Sequence, residues 1–533
     1  MKKGIALFLS VIMLVCMLCS CSSDEPIVLF FAVEGSAGTF DPQIVSDTTA
    51  SIVVRNCFEG LVRRDENGEI VNGVAKDWRV SPDGLTYTFI LREDAVWHLT
   101  SNAKEQLEGK LPEDFDLSVT AYDFQFALRR AVDPSTSAHG SYMLYNIENA
   151  PEILSGNKAS GELGVYVKDR YTLEIKLSKP QSNFFEVLCE PVCMPCNEAF
   201  FNACSGRYGT LIKFSLSNGP FYLSRFDEAS YRINKASDYC GESVAVPDYV
   251  WLYVYENEDI LLEELENDGY SGAVISEDMY NRLEISSSMT VIETPNTIKG
   301  LLMNLDDPVL AEENIRKAFL SATDTKAVAE NEAKQYTDSI IPISAASSEV
   351  TSHPDAFSEE KAAVYLKNGM EKLGKKSISI TILCEQRYEG TMRRLLQEWQ
   401  RILGISVNLS VKSVSLREME TAVRSGDFQI AFCDYAANTD SAYEYFGSFL
   451  ASSPYNVTGF SEQGMEELIA KLYTSGQENY KSVYSSIESK ILSSATVIPV
   501  WSENSYFVTT KKISGAMYFS GSDKLYFHKT TNR

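Results

Sequence analysis

Residues 377–445 decide how this chain folds: SISITILCEQRYEGTMRRLLQEWQRILGISVNLSVKSVSLREMETAVRSGDFQIAFCDYAANTDSAYEY. Ile378, Ile380 and Ile382 alternate with other residues, the period-two pattern of a half-buried strand. Met392, Leu395, Leu396, Trp399, Ile402 and Leu403 then recur at helical spacing, and Gly404 is placed to end that helix in the left-handed conformation. Ile405, Val407, Leu409 and Val411 alternate again. Leu416, Met419 and Val423 return to the helical period, Gly426 ends that helix, and Phe428, Ile430 and Phe432 alternate. The order β-α-β-α-β predicts parallel strands joined by right-handed crossovers. Ligands of such sheets sit beyond the carboxyl ends of the strands, so the segment from Cys433 to Phe446 is expected to face a cleft. Acids and tyrosines interleave there; carboxylates hold ammonium groups, and tyrosines offer an apolar face with a hydroxyl at the rim.

Outside this stretch, helices and strands mix throughout, which makes the chain an α/β protein. Helices are expected over Thr120–Ala131, with Thr120 as N-cap and Asp123 as its box partner, and over Glu312–Ala322. Strands are expected over Ile27–Val33, Tyr87–Leu91, Thr172–Leu177, Tyr249–Tyr255 and Val497–Trp501. A length of 533 residues suggests about three to four domains. With 44% hydrophobic and 23% charged residues, the chain has the composition of a folded protein and not of a disordered one. Its net charge of −25 repels phosphate backbones, and no basic stripe offsets it, so no nucleic-acid partner is expected.

The N-terminus reads as an export signal. Met1-Lys2-Lys3 is a positive start, and the apolar run Ile5–Leu18 falls short of the roughly 20 residues that span a bilayer. Leu18-Cys19-Ser20-Cys21 resembles a bacterial lipobox, with an aliphatic residue three before Cys21 and a small one just before it. The expectation is a signal peptide over residues 1–20 and a lipid on Cys21. That would hold the protein on the extracytoplasmic side of the cell membrane, and two or three acyl chains make such an anchor firm.

Catalytic patterns are missing. Cys189, Cys193 and Cys196 have a C-x3-C-x2-C spacing used for iron–sulfur clusters, but no glycine-rich segment follows and Pro191 and Pro195 interrupt the loop. The sequence allows a disulfide among Cys189, Cys193, Cys196 and Cys204, or equally free buried thiols. His98, His139, His353 and His528 are scattered without metal spacing, and there is no G-x-S-x-G, H-E-x-x-H or Walker A motif. Neither an enzyme, a cofactor nor a metal is expected.

Several motifs in serial order resemble the peptide- and nickel-binding family of ABC-transporter solute receptors, extracytoplasmic solute-binding protein family 5. They are Glu34-Gly35-Ser36-Ala37-Gly38-Thr39-Phe40-Asp41-Pro42, Phe58-Glu59-Gly60-Leu61-Val62, Val74-Ala75-Lys76-Asp77-Trp78, the stretch from Ser81 to Arg92, Trp97, and Ser217-Asn218-Gly219-Pro220-Phe221-Tyr222. Arg316-Lys317-Ala318-Phe319 resembles a helix of the family's further domain, and the likeness runs from about residue 27 to 525. The resemblance implies a two-lobed periplasmic-binding-protein-like fold of type II with an extra small domain. Lobe I would combine residues 22–62, 171–296 and 490–533; the small domain would be 63–170 and lobe II 297–489.

It also implies a dipeptide- or oligopeptide-binding lipoprotein of an ABC importer, expected to act as a monomer and to deliver its ligand to permease subunits. Other occupants of the same fold are a non-peptide solute, or a signalling or adhesion role without transport. In the family a carboxylate holds the peptide amino terminus, and the ungapped match puts Asn438 at that position. Asp440 or Asp434 would then have to substitute. Tyr435 lies in the same loop, Arg387 resembles a segment that supplies an arginine for the peptide carboxylate, and Glu34 is a rim residue by family position. Residues 98–119, with five acids, read as a solvated insertion.

Overall fold

The computed structural model describes residues 26–532 apart from 139, 182, 228, 342–356, 435–441, 452, 454–455, 475–476, 511 and 520–523. Its frame is one large mixed sheet. Along the sheet the strands run Val407–Val414, Ile378–Glu385, Ile430–Asp434, Met289–Met303, Val497–Thr510, Gly272–Ser276, Val28–Glu34, Tyr249–Tyr255, Ser230–Lys235 and Phe221–Phe226. The two in the middle are long and antiparallel, paired from Met289 with Thr510 to Leu302 with Val497. Their register shifts between Pro295 and Thr297 and again between Lys299 and Gly300. Such bulges bend and twist a ladder locally. These crossing strands join two lobes: the strands around Val28–Glu34 on one side, those around Ile378–Glu385 on the other.

In the second lobe the β-α-β-α-β stretch folds as its periodicity demands. Ile378–Glu385 pairs in parallel with both Val407–Val414 and Ile430–Asp434. The helix Glu389–Leu403 buries Met392, Leu395, Trp399 and Leu403. The helix Leu416–Ser425 starts at a Ser415/Glu418 capping box and ends at Gly426 with φ 73° and ψ 15°, a left-handed cap. Two details differ from the sequence reading. Gly404 has the expected positive φ of 76° but an extended ψ of −171°, so it turns the chain out of the helix without forming a left-handed cap. Ile405 is consequently 96% exposed and outside the strand, which begins only at Val407.

Beside the first lobe stands a small antiparallel sheet in the order Ala75–Val80, Thr86–Leu91, Thr172–Lys176, Val165–Asp169. The helix Ala121–Val132 lies on it and buries Phe124, Ala127, Leu128 and Ala131. At its start the Thr120 N–H donates to the Asp123 carboxylate at 2.7 Å. Phe89, Trp97 and Phe124 share one continuous apolar core with Leu29, Phe31 and Val250 of the first lobe. Residues 98–119 are largely solvated, as expected, but three positions anchor them to the core. Thr100 caps a short helix, Ser101–Gln106, that drives Ala103 and Leu107 into that core, and Val119 is buried with them. The five acids of the segment are exposed, and so is Leu117. Among the described residues no helix is long and apolar enough to cross a membrane.

Cys189, Cys193, Cys196 and Cys204 are buried free thiols. Burial pushes Cys189 and Cys196 up to about 12, and the Arg130 guanidinium donates to the Cys196 sulfur at 3.4 Å. Among the described residues no group of three or more His, Cys, Asp and Glu side chains could hold a metal ion.

Candidate functional site

The site forms where strand ends of the two lobes meet along the crossing strands. From the first lobe come Glu34 and Tyr255, the last residues of neighbouring parallel strands and register partners. The Glu34 carboxylate accepts from the Tyr255 hydroxyl, and burial together with Glu34 pushes that phenol well above its usual range. From the second lobe come Arg387 and Tyr388, in the turn after Ile378–Glu385, and Asp434, which ends the strand Ile430–Asp434. The crossing strands add Lys299, Trp501 and Glu503.

Lys299 is the organising charge. Its ammonium lies 2.7 Å from Asp434 Oδ1 and 4.4 Å from the centre of the Tyr388 ring, with the lysine side chain only 3% exposed. Burial alone would lower its pKa; Asp434, Tyr388 and Glu503 override that and hold it above the ordinary lysine range. The Tyr388 ring is wedged among Phe432 at 5.4 Å, Trp501 at 6.0 Å and the Arg387 guanidinium at 5.0 Å. Burial pushes the Tyr388 phenol up to about 12, and its hydroxyl has no partner among the described residues. Arg387 Nε holds Glu385 Oε2 at 2.8 Å. Burial again works against the charged guanidinium, but Tyr388, Glu385, Asp434 and Glu34 keep it firmly protonated. Glu503 accepts from Trp501 Nε1 at 2.8 Å and lies 3.3 Å from Lys334 Nζ.

Lys334 also ties the lobes together. This second-lobe ammonium reaches Asp278 at 2.6 Å and Glu277 at 3.3 Å, at the start of the first-lobe helix Glu277–Arg282. A second tie is Arg424, which donates to the Ser46 hydroxyl at 3.0 Å.

Of the residues singled out in the sequence, Glu34 and Arg387, from different lobes, lie close enough for the Glu34 charge to act on the guanidinium. Tyr435, Asn438, Asp440 and Cys21 lie outside the described residues. Asp434 is 44% exposed but offers a ligand ammonium no unpaired charge, because Lys299 already pairs with it. Tyr445 is not a rim residue either: it is 1% exposed in a core with Phe446, Phe449 and Tyr484. Lys299, Tyr388 and Trp501 escaped the sequence reading. The one available signal was a lone lysine in the run Thr297-Ile298-Lys299-Gly300-Leu301-Leu302-Met303, where a strand interior has no reason to hold a charge unless it is paired. Chemically, the arrangement sets two paired cations, Lys299 and Arg387, and the buried, unpartnered Tyr388 hydroxyl near the Glu34 acid of the other lobe.

Residues 69–457 match the profile of "Bacterial extracellular solute-binding proteins, family 5 Middle". The dipeptide-binding protein DppE of Bacillus subtilis is 23% identical over 506 residues, covering 92% of this chain and 89% of DppE. Among solved structures, Listeria monocytogenes OppA bound to peptide superposes with a TM-score of 0.80 at 20% identity, covering 95% of this chain and 99% of OppA. Haemophilus influenzae OppA in complex with RPPGFSPFR gives a TM-score of 0.79 at 20% identity, covering 95% and 99%. These structures share the two-lobed α/β architecture described above. With a profile match over most of its length and the same fold, the chain belongs to the bacterial extracellular solute-binding proteins, family 5.

Proposed function

We propose that this protein is the binding lipoprotein of an ABC importer, capturing a dipeptide or oligopeptide between its lobes and passing it unaltered to the permease. The observation that carries this reading is the pair of bulged crossing strands, flanked by Glu34 and Tyr255 on one side and Arg387, Tyr388 and Asp434 on the other. A solute that contacts both sets can do so only when the lobes are closed, so binding shifts the hinge equilibrium towards closure. DppE and the two OppA proteins, named for dipeptide binding or solved with peptide, support a peptide as the solute.

In this reading lobe I comprises residues 22–62, 171–296 and 490–533, the small domain 63–170, and lobe II 297–489, with the small domain's sheet extending to Lys176. Ligand contacts come from Glu34, Arg387, Tyr435, Asn438 and Asp440; Cys21 carries the lipid that holds the monomeric receptor on the outer side of the cell membrane. A thermal-shift screen with peptides of two to eight residues tests the assignment. Stabilisation by a subset is the expected result, and no shift with any of them removes the peptide assignment. A second reading is favoured by one observation: Lys299 already occupies Asp434, so a solute without a free amine fits the described part of the cleft.

A further inference from the structure

Strands send alternate side chains to opposite faces. Leu29, Phe31, Val33, Val250 and Leu252 point into the main core, and Phe30, Tyr249, Trp251 and Tyr253 point the other way. On that outer face the helix Glu258–Glu266 packs Leu261, Leu262 and Leu265 with Ala32, Ala273 and Ile275, which leaves the strip from Phe30 to Tyr249 outside this cluster. The strip is ordered. Trp251 stacks on Tyr253 at 5.5 Å and 12°, Phe30 on Tyr253 at 6.4 Å and 23°. The guanidinium groups of Arg225 and Arg232 lie 5.4 and 5.3 Å from the Trp251 ring centre. Arg225 also holds Asp227 at 3.1 Å. Phe30 is exposed, as are Val244 and Val246 in the segment leading into Tyr249.

The chain enters the fold at the same edge, and its entry is pinned. The Ile27 N–H donates to Asp248 Oδ2 at 2.8 Å, the Asp248 N–H donates to the Ile27 carbonyl at 2.9 Å, and Val28 is the register partner of Tyr249. From Cys21 to Ile27 a fully extended chain spans at most about 20 Å. A lipid on Cys21, the reading proposed above and the one this inference rests on, therefore keeps this edge of the first lobe close to the bilayer. Tryptophan, tyrosine and arginine are the side chains that settle at headgroup level, with an apolar body and a polar tip, and a guanidinium meets a lipid phosphate well.

We infer that Phe30, Tyr249, Trp251 and Tyr253, with Arg225 and Arg232, form the surface on which the tethered receptor rests against lipid headgroups. The cleft ends of the same two strands, Glu34 and Tyr255, are then held about 20 Å along the strand from that edge.

The test uses the full lipidated chain with a protease site built into residues 22–26, reconstituted in vesicles of phosphatidylglycerol and phosphatidylethanolamine with no other protein. Hydroxyl-radical labelling is read before and after cleavage releases the body. The expected result is a severalfold rise in labelling of Phe30 and Trp251 on release, with Tyr122, exposed elsewhere, unchanged. In the uncleaved protein, Phe30→Ser combined with Arg225→Glu should raise labelling of Trp251. Equal labelling before and after release overturns the inference, as does protection that appears only when another membrane protein is added. An intact mass lacking acyl chains on Cys21 overturns it too, while leaving the peptide screen to judge the receptor assignment separately.

Discussion

The Lys299 ammonium sits 2.7 Å from the Asp434 carboxylate, so a buried residue of a crossing strand closes on the last residue of the strand Ile430–Asp434. The two partners differ in exposure, at 3% and 44% of their side chains. Removing either one therefore has unequal consequences. Asp434→Asn leaves a desolvated ammonium unpaired and should cost about 3–5 kcal/mol in denaturant unfolding. Lys299→Met leaves a carboxylate that water can reach, and about 1–2 kcal/mol is expected. Equal costs, or the reverse order, would show that Lys299 is not held by this pair.

Lys334 contacts Asp278 and Glu277 across the two lobes, and we infer that these contacts belong to the closed form. An interaction confined to the closed form adds to the closure equilibrium and not to the ligand contacts themselves. Lys334→Ala should therefore raise the Kd for any bound peptide by roughly fivefold to tenfold, as expected for about 1 kcal/mol lost from the closed state. Titration calorimetry reads this directly, and an unchanged Kd would mean that Lys334 does not hold the lobes.

Acid stability should depend on His528. Burial, with Arg63 and Lys529 close by and Glu66 only partly opposing them, pushes its imidazole down to about 4. The unfolded chain takes up this proton near pH 6.5, whereas the folded chain does not until about pH 4, so stability is lost as pH falls through that window. The histidine accounts for about 3 kcal/mol of that loss. Comparing His528→Gln with the parent from pH 7 to 4 isolates it, because other titrating groups are common to both. The variant should show the shallower decline, and parallel curves would contradict the assignment.

Thiol accessibility gives an independent check on both lobes. Cys240 is exposed, Cys433 is half-buried with its thiol pushed up to about 12, and Cys57, Cys189, Cys193, Cys196, Cys204 and Cys384 are buried. One fast-reacting thiol is expected in the native protein. Denaturation without reductant should expose all eight of these cysteines; a count of six would reveal a disulfide.

Those parts of the fold were legible in the sequence where burial imposes a period. Ile378, Ile380 and Ile382 lie on a buried face, Trp399 and Leu403 on a buried helix stripe, and Thr120 with Asp123 marks a helix start, so the residues record their own environment. The second crossing strand was expected to stop at Trp501 but runs on through Ser502, Glu503, Asn504 and Ser505. Those polar residues are half exposed and have no apolar alternation; pairing with Met289–Met303 keeps them extended, and no local pattern reports that. Ile405 extended the alternation by one step too many, since a period counts side chains and cannot see Gly404 turning the backbone. Glu34 and Arg387 could be named from the sequence only through the family resemblance, the first by family position and the second by a similar segment. Lys299 and Tyr388 gain their meaning from partners far away in the chain, such as Asp434 and Trp501, and so only the folded arrangement reveals them.

In the proposed function, two lobes joined by the strands Met289–Met303 and Val497–Thr510 close over a solute. Small-angle X-ray scattering of the purified protein, with and without a saturating peptide that stabilises it, reads that closure. A smaller radius of gyration in the presence of peptide is the predicted result. A radius of gyration unchanged while calorimetry shows the peptide fully bound would contradict it.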